Sequence, residues 1–250
     1  MKAAAVIPAR FGSTRFPGKV LAQLGGKPIV QWVWEAAKRS KADTVIVATD
    51  EPKVKAAVEA FGGKAVMTSP KHPSGSDRVW EAIQGVDADI IINVQGDEPL
   101  MPPEVINGLI DAMASKPAPD MATVIVPCKR SEVKDNPNLV KTVVGADGFA
   151  LYFSRSMIPF LREGGAETEV FRHWGIYAYT RDALKRFISL PESGLERCEK
   201  LEQLRALENG MRIKTIKTAF QSIGIDTPMD LTLAAEAISG KLKLRGQNFK

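Results

Sequence analysis

Three cations and two glycines occur close together in the segment IPARFGSTRFPGK, residues 7–19. Glycines let backbone amides approach phosphate oxygens closely, and the side chains of Arg10, Arg15 and Lys19 would offset the charge that develops as pyrophosphate leaves. The GxxxxGK[ST] spacing of a Walker loop and the GxGxxG fingerprint of dinucleotide-binding folds are both absent from the segment. It therefore predicts a triphosphate-binding loop of another kind, with a solvated basic turn as the alternative.

Two aspartates that follow apolar runs could offer carboxylates to a hard cation. Asp97 comes after a strand-like run in NVQGDEP, and Asp226 ends a shorter one in SIGIDTPMD. Carboxylate oxygens are ligands that Mg²⁺ accepts in proteins. Each residue also has a structural interpretation, Asp97 in an acidic turn and Asp226 as the N-cap of the helix that begins at Thr227 and Pro228. The sequence predicts a magnesium site and leaves these alternatives open.

HPSGSDR, residues 72–78, combines hydroxyl groups with a glycine just before a helical pattern. Its Ser-Gly-Ser turn offers side-chain oxygens and accessible backbone amides, and Arg78 lies one helical turn further on. We expect this segment to contact a bound nucleotide. The alternative is a simple helix cap formed by Ser76 or Asp77.

Two later segments carry polar residues with more than one interpretation. In FRHWGIYAYT, Arg172 and His173 are neighbours on a strand and point to opposite faces, so only one of them would line a given pocket. In LERCEKLEQLRALENG, Glu202 and Gln203 accompany a helical stripe of leucines. The alternatives are a structural histidine and a surface ion pair between Glu202 and Arg205.

An alternation of strand and helix patterns over the first 100 residues must position these groups. AAAVIPA, TVIVATD and ADIIINVQGDEPL (88–100) are typical of buried strands, and KAVMTS of a shorter one. Residues 28–40, 52–63 and 76–86 carry helical spacing. The alternation predicts an α/β fold with a predominantly parallel sheet flanked by helices, whose strand ends present the basic loop and Asp97.

The pattern changes after about residue 120. MATVIVPC, LVKTVVGADGFALYFSR and HWGIYAYT are strand-like, and the Gly-Ala-Asp-Gly sequence predicts a hairpin turn. Helical sequence then returns in DALKRFISL and GLERCEKLEQLRALENG, followed by the strand RIKTIKT and a final helix from Thr227. We expect one α/β domain over residues 1–250, with a small mixed-sheet lobe inserted at about 120–180.

Composition narrows the class of protein. The chain of 250 residues is 44% hydrophobic and carries a net charge of +5. Its basic residues are dispersed and it has only three tyrosines, a composition that favours small anionic ligands over nucleic acid. No run approaches the roughly 20 apolar residues of a membrane helix, and Pro8 and Arg10 interrupt any signal-peptide core, so a cytoplasmic protein without membrane contact is expected. Cys128 and Cys198 show no disulfide or zinc spacing.

Six segments occur in one order over residues 6 to 231: IPARFGSTRFPGK, HPSGSDR, NVQGDEP, FRHWGIYAY, LEQLRALENG and IGIDTPMDL. Together they resemble the 3-deoxy-manno-octulosonate cytidylyltransferases, the CMP-Kdo synthetases of Gram-negative lipopolysaccharide synthesis. The resemblance implies a Rossmann-like nucleotide-diphospho-sugar transferase fold, with CTP and the sugar acid Kdo as substrates and CMP-Kdo and pyrophosphate as products. It also implies Mg²⁺ as cofactor and a homodimer, with the strand-rich lobe as the favoured dimer surface.

The same resemblance implies roles for individual residues. Arg10 and Lys19 match catalytic cations of the triphosphate loop, and Asp97 and Asp226 match catalytic carboxylates that bind magnesium. The residues that match substrate-binding positions are Arg15, Ser74, Gly75, Arg78, Gln95, His173, Tyr177, Glu202 and Gln203.

The mechanism expected from these roles is a direct displacement. The anomeric hydroxyl of the sugar acid would attack the α-phosphorus of CTP in line, with pyrophosphate leaving opposite. No residue of the sequence clearly serves as a general base, so activation by the metal is favoured by elimination. The alternatives are transfer to another acidic sugar, a non-catalytic nucleotide-binding protein on the same fold, and a nucleic-acid-binding module.

Overall fold

The computed structural model describes residues 1–12 and 15–246 and divides the chain into two compact units. The first unit contains Met1–Ile110 and Phe220–Lys250, and the second contains Asp111–Ala219. That residues 1–250 form a single domain stays a prediction. Ser13 and Thr14, which belong to the predicted triphosphate loop, lie outside the described residues.

The helices and strands follow one another along the chain as follows. The first unit begins with β1 (Ala3–Pro8), a 3₁₀ turn (Lys19–Leu21), β2 (Gln23–Leu24), β3 (Lys27–Pro28), α1 (Ile29–Lys38), β4 (Thr44–Thr49), α2 (Pro52–Ala60), β5 (Lys64–Met67), α3 (Gly75–Ala82), β6 (Ile90–Asn93) and α4 (Pro103–Met113), within which the division falls. Then come β7 (Met121–Cys128), α5 (Arg130–Val133), β8 (Lys141–Val144), β9 (Ala150–Ser154), β10 (Val170–Thr180), α6 (Arg181–Ser189), α7 (Gly194–Glu199), α8 (Gln203–Glu208), β11 (Ile213–Lys217) and α9 (Pro228–Ile238), the last in the first unit.

The sheet of the first unit is parallel, with the strand order β6-β1-β4-β5. Its central strands are apolar along nearly their whole length, as expected when helices cover both faces of a sheet. The predicted α/β class with a predominantly parallel sheet is confirmed. Because β1 lies between β4 and β6 and all three run in one direction, the segments that follow these strands meet at one edge.

The ends of α1 and α2 agree with the predictions, whereas the cap of α3 does not. Pro52 starts α2 behind its cap Glu51, and α1 ends at Lys38, both within the predicted ranges. The cap of α3 is Ser74, whose hydroxyl accepts a hydrogen bond from the backbone N of Asp77. The prediction of Ser76 or Asp77 as the cap was therefore wrong, because Ser74 is the residue with the extended backbone that a cap requires.

The second unit has a mixed sheet, while the bounds of the inserted lobe, about 120–180, stay a prediction. β7 pairs with β10 antiparallel and with β11 parallel, while β8 pairs antiparallel with both β9 and β10. The β8–β9 hairpin turns through the predicted Gly-Ala-Asp-Gly sequence. The β7–β10 pairing is interrupted by an irregularity between Trp174 and Tyr177.

Helical sequence around residue 200 is divided into two short helices. Lys200 adopts φ 51°, in the left-handed region, and ends α7 there. Glu202 consequently stands at the N-cap position of α8 rather than inside a helix, which corrects the sequence-based placement. None of the helices in the described part of the chain combines the length and apolar character that crossing a bilayer requires.

Candidate functional site

The basic loop is closed by local backbone contacts after β1. The backbone N of Gly18 donates to the carbonyl of Phe11 at 3.0 Å, and Gly18 has φ +69°, which favours glycine. This turn leads Lys19 into the 3₁₀ turn with its side chain largely buried. Arg10 and Arg15 on the same loop remain exposed to solvent.

Lys19 joins the two predicted metal-binding carboxylates. Its Nζ lies 2.5 Å from Oδ2 of Asp97 and 2.9 Å from Oδ1 of Asp226, and Nη2 of Arg15 donates to Oδ2 of Asp226 at 2.8 Å. Burial opposes the charge of Lys19, but Asp97 and then Asp226 raise its pKa overall. Burial likewise acts to raise the pKa of Asp226, yet Lys19 and then Arg15 lower it. Lys19 and Asp226 are therefore both charged at neutral pH.

The turn that carries Asp97 crosses the end of β1 at close range. A Cβ at Gly96 would lie 2.7 Å from the carbonyl oxygen of Pro8, a distance that side-chain movement cannot relieve. The carbonyl of Asp97 accepts a hydrogen bond from the backbone N of Ile225 at 2.9 Å. This bond ties the segment before Asp226 to the Asp97 turn.

Asp226 does not cap the helix that follows it. Thr227 is the N-cap of α9, and its hydroxyl accepts from the backbone N of Asp230, whose own carboxylate accepts from the backbone N of Asp226 and Thr227. The carboxylate of Asp226 is used for the contacts with Lys19 and Arg15. The N-cap alternative for Asp226 is therefore wrong.

The pair of carboxylates in this cluster suits a magnesium ion. Asp97 and Asp226 each place an oxygen against the same ammonium nitrogen, so a small cation at that position would meet both. In the described part of the chain no group of three or more His, Cys, Asp or Glu side chains could hold a metal. Mg²⁺ usually takes one or two carboxylates and completes its shell with water and substrate phosphates, which agrees with a pair of aspartates.

A pocket of about 410 Å³ brings together every predicted site residue of the first unit. Ser74 and Gly75 reach it from the start of α3, and Gln95 reaches it from the turn after β6. His72, which precedes these residues in the HPSGSDR segment, was not predicted as a site residue, and its Nε2 contacts a carboxylate oxygen of Glu81. The lining consists of Pro8, Arg10, Arg15, Lys19, Val20, His72, Pro73, Ser74, Gly75, Arg78, Gln95, Gly96, Asp97 and Asp226.

Four predicted substrate-binding residues lie in the second unit, and two of them share a face of β10. The ring of His173 is 5.5 Å from that of Tyr177 and 4.8 Å from that of Phe153, and its Nε2 is 2.9 Å from Oγ1 of Thr123. Burial lowers the pKa of His173 to about 3. Burial, with smaller contributions from Tyr179 and then Glu202, raises the pKa of Tyr177 well above its ordinary value. Both rings are therefore neutral hydrogen-bonding groups at physiological pH.

The other two residues of the second unit lie at the start of α8. Gln203 is buried, and within the described residues its Nε2 finds no hydrogen-bond partner. A buried amide without a partner is costly, so this nitrogen is suited to a ligand. The guanidinium of Arg205 donates two hydrogen bonds to Glu196, at 2.8 and 2.6 Å. Arg205 thus pairs with a carboxylate other than that of Glu202, the partner suggested by the sequence.

Comparison with known proteins gives the family of this chain. A family model described as Cytidylyltransferase matches residues 4–213. Two relatives are named 3-deoxy-manno-octulosonate cytidylyltransferase. The protein from Thermodesulfovibrio yellowstonii is 50% identical to this chain, and the match covers 94% of this chain and 97% of the relative. The protein from Trichlorobacter lovleyi is 46% identical, and the match covers 94% of this chain and 98% of the relative. A solved CMP:2-keto-3-deoxy-manno-octonic acid synthetase complexed with CTP is 44% identical with a TM-score of 0.92, covering 97% of this chain and all of that one. The chain therefore belongs to the 3-deoxy-manno-octulosonate cytidylyltransferase family.

Proposed function

We propose that this protein transfers CMP from CTP to the anomeric hydroxyl of Kdo, giving CMP-Kdo and pyrophosphate and so activating Kdo for lipopolysaccharide synthesis. The observation that carries the proposal is the cluster of Lys19, Asp97 and Asp226 inside a pocket lined by backbone and hydroxyl groups suited to a nucleotide. The solved relative with CTP supports the choice of nucleotide, and the names of the close relatives support the choice of sugar.

The nucleotide is bound between the loop after β1 and the start of α3. Ser74 and Gly75 offer a hydroxyl and an accessible backbone to the nucleoside, and Gln95 offers an amide from the opposite wall. Arg10 and Arg15 face solvent at the mouth, where they attract the triphosphate and can pair with its oxygens. The excess of cations around the pocket thus matches a highly anionic ligand.

Transfer proceeds by in-line attack of the sugar hydroxyl on the α-phosphorus. Arg10, Arg15 and Lys19 stabilise the departing pyrophosphate by pairing with charge that grows as the bond breaks. Asp97 and Asp226 would hold Mg²⁺, which when bound increases the acidity of the attacking hydroxyl and offsets charge on the phosphates. Asp97→Asn at saturating magnesium is therefore expected to lose most turnover, and near-normal turnover would contradict this assignment.

The sugar acid is bound by residues of the second unit. His173 and Tyr177 present neutral polar groups on one face of β10, and Gln203 contributes an amide nitrogen without a protein partner. Glu202 at the start of α8 can accept hydrogen bonds from sugar hydroxyls. This combination of acceptors and neutral donors suits a polyhydroxylated substrate better than an apolar one.

Two further properties are proposed from the family resemblance. The protein is a cytoplasmic enzyme that acts as a homodimer through the strand-rich lobe, where Leu151 and Phe160 are 64% and 86% exposed. Light scattering coupled to size-exclusion chromatography measures the mass directly. A monomer at micromolar concentration would contradict the dimer.

Pyrophosphate release tests the activity. The protein is incubated with CTP and Mg²⁺, with and without Kdo, and sialic acid and the other nucleoside triphosphates serve as controls. Release that requires both CTP and Kdo is expected. Release with a different sugar acid would move the substrate while keeping the nucleotidyl transfer, and no release with any sugar would contradict the proposed activity.

A further inference from the structure

Asp50, the first residue after β4, has no role in the activity described above. Its side chain is 17% exposed. Oδ2 accepts a hydrogen bond from Nη2 of Arg78 at 3.0 Å, and Oδ1 accepts a longer one from the backbone N of Phe11 at 3.4 Å. Asp50 therefore contacts two walls of the pocket, the loop after β1 and helix α3, from behind the residues that line it.

Arg78 depends on that carboxylate because its guanidinium is buried. The side chain is 5% exposed, and its second terminal nitrogen, Nη1, donates to Oγ1 of Thr68 at 2.5 Å. Thr68 follows β5, which pairs with β4 in parallel register, so the guanidinium bridges two neighbouring strand ends. Burying a guanidinium without a carboxylate is strongly unfavourable. Asp50 and Thr68 thus fix the orientation of Arg78 independently of any ligand.

We propose that Asp50 is a positioning residue for the nucleotide, which acts through Arg78 and the Phe11 amide to hold the loop after β1 and the start of α3 at the separation that CTP requires. The inference rests on the proposed function, because it assumes that CTP occupies this pocket. Asp50 influences nucleotide affinity more than the chemical step, since the reacting end of the pocket is organised by Lys19 and Asp97.

The test is direct CTP binding by Asp50→Asn, measured by calorimetry without sugar and followed by steady-state kinetics. The substitution keeps the shape of the side chain and removes the charge that pairs with Arg78. We expect CTP affinity to fall about tenfold, the loss typical of one charge-assisted contact. KM for CTP should rise accordingly, while kcat and KM for Kdo stay within about twofold of the unaltered enzyme. A merely structural role would instead reduce the folded fraction and so lower kcat at unchanged KM.

Glu35→Gln is the matched control. It makes the same carboxylate-to-amide change in the same unit, where Glu35 accepts hydrogen bonds from Nζ of Lys27 at 2.9 Å and lies outside the pocket lining. Its CTP affinity should equal that of the unaltered enzyme. Arg78→Met and the double variant with Asp50→Asn complete a cycle, in which the double variant should bind CTP no more weakly than Arg78→Met alone.

The outcomes separate this inference from the proposed function. If the unaltered chain does not bind CTP, both are overturned. If it binds CTP and a folded Asp50→Asn variant binds within twofold of it, or the two substitutions weaken binding additively, only the role of Asp50 is overturned. Should Asp50→Asn fail to fold, Asp50→Glu decides the matter, because it keeps the charge but displaces the guanidinium. That variant is expected to bind CTP several-fold more weakly, and unchanged affinity would overturn the inference.

Discussion

Replacing Lys19 with methionine should tighten divalent-cation binding in the absence of nucleotide, although it weakens catalysis. The Nζ of Lys19 contacts both Asp97 and Asp226, so a cation that uses these carboxylates must displace it. Methionine has a similar length and no charge, which leaves the two carboxylates facing each other without a shared counter-ion. The variant should therefore accept a dication more readily than the unaltered protein.

The size of the effect follows from the burial of the two contacts. Nζ of Lys19 and Oδ2 of Asp97 are 2.5 Å apart on side chains that are 12% and 29% exposed, and such a charge-assisted hydrogen bond contributes about 1.5 kcal/mol. The Asp226 side chain is 47% exposed, and solvent screening reduces its contact to about 0.5 kcal/mol. A cation that displaces Lys19 from both aspartates must overcome about 2 kcal/mol. This free energy corresponds to roughly 30-fold in cation affinity.

Electron paramagnetic resonance of free Mn²⁺ measures this affinity without turnover. Lys27→Met is the matched control, because Lys27 is also paired with a carboxylate of the same unit, that of Glu35, but outside the pocket lining. The Lys19→Met variant should bind Mn²⁺ roughly 30-fold more tightly than either the control or the unaltered protein. Equal affinity in all three, with binding still abolished by Asp97→Asn, would refute the competition between Lys19 and the cation.

Three further predictions concern stability and nucleotide binding. Gly96→Ala should lower the free energy of unfolding by about 1–3 kcal/mol, because the new Cβ would lie 2.7 Å from the Pro8 carbonyl oxygen. Denaturant titration measures the change, and an unchanged unfolding midpoint would contradict that close approach. Ser74→Ala should lower the free energy of unfolding by about 1 kcal/mol and Ser74→Gly by only a few tenths. Both variants should bind CTP more weakly, and full CTP affinity in the glycine variant would exclude a contact between the Ser74 hydroxyl and the nucleotide. Burial lowers the pKa of His173 to about 3, so the neutral ring favours the folded state fully above pH 6.5. As the pH falls from 6.5 to 3, this contribution to the free energy of unfolding should decline by up to about 1.4 kcal/mol per pH unit. A His173→Phe variant should show a flatter acid limb, and an identical limb would contradict the lowered pKa of the His173 ring.

The residues after the first unit's strands could be predicted from sequence because parallel strands order them. An apolar run that ends in a basic loop and another that ends in Asp97 are visible in the sequence, and adjacency of β1 and β6 in a parallel sheet brings their ends together. The helical pattern after Asp226 likewise indicated where α9 begins. These elements depend on local patterns of ten or so residues, which a single sequence records.

Features that depend on tertiary partners were missed for a physical reason. Asp50 appeared in the sequence only as an acid at a strand end, and its pairing with Arg78 depends on how α3 packs against β4. Three residues separate α7 from α8, and the first of them, Lys200, is left-handed, in a segment whose residues all tolerate a helix. The cap at Ser74 competed with two equally suitable neighbours, and backbone conformation alone decides between them.

The candidate site also explains how two carboxylates from distant parts of the chain can face one another. Bringing Asp97 and Asp226 together is electrostatically unfavourable, and the surrounding fold must offset that repulsion. Packing offsets part of this repulsion, because Ile225 is fully buried in an apolar cluster with Leu24. The backbone N of Ile225 also donates a hydrogen bond to the carbonyl of Asp97. Lys19 contributes the opposite charge, but by contacts that a ligand can replace. The aspartates are thus held in place by their backbone neighbours, so Lys19 can transfer to the triphosphate without loss of the site.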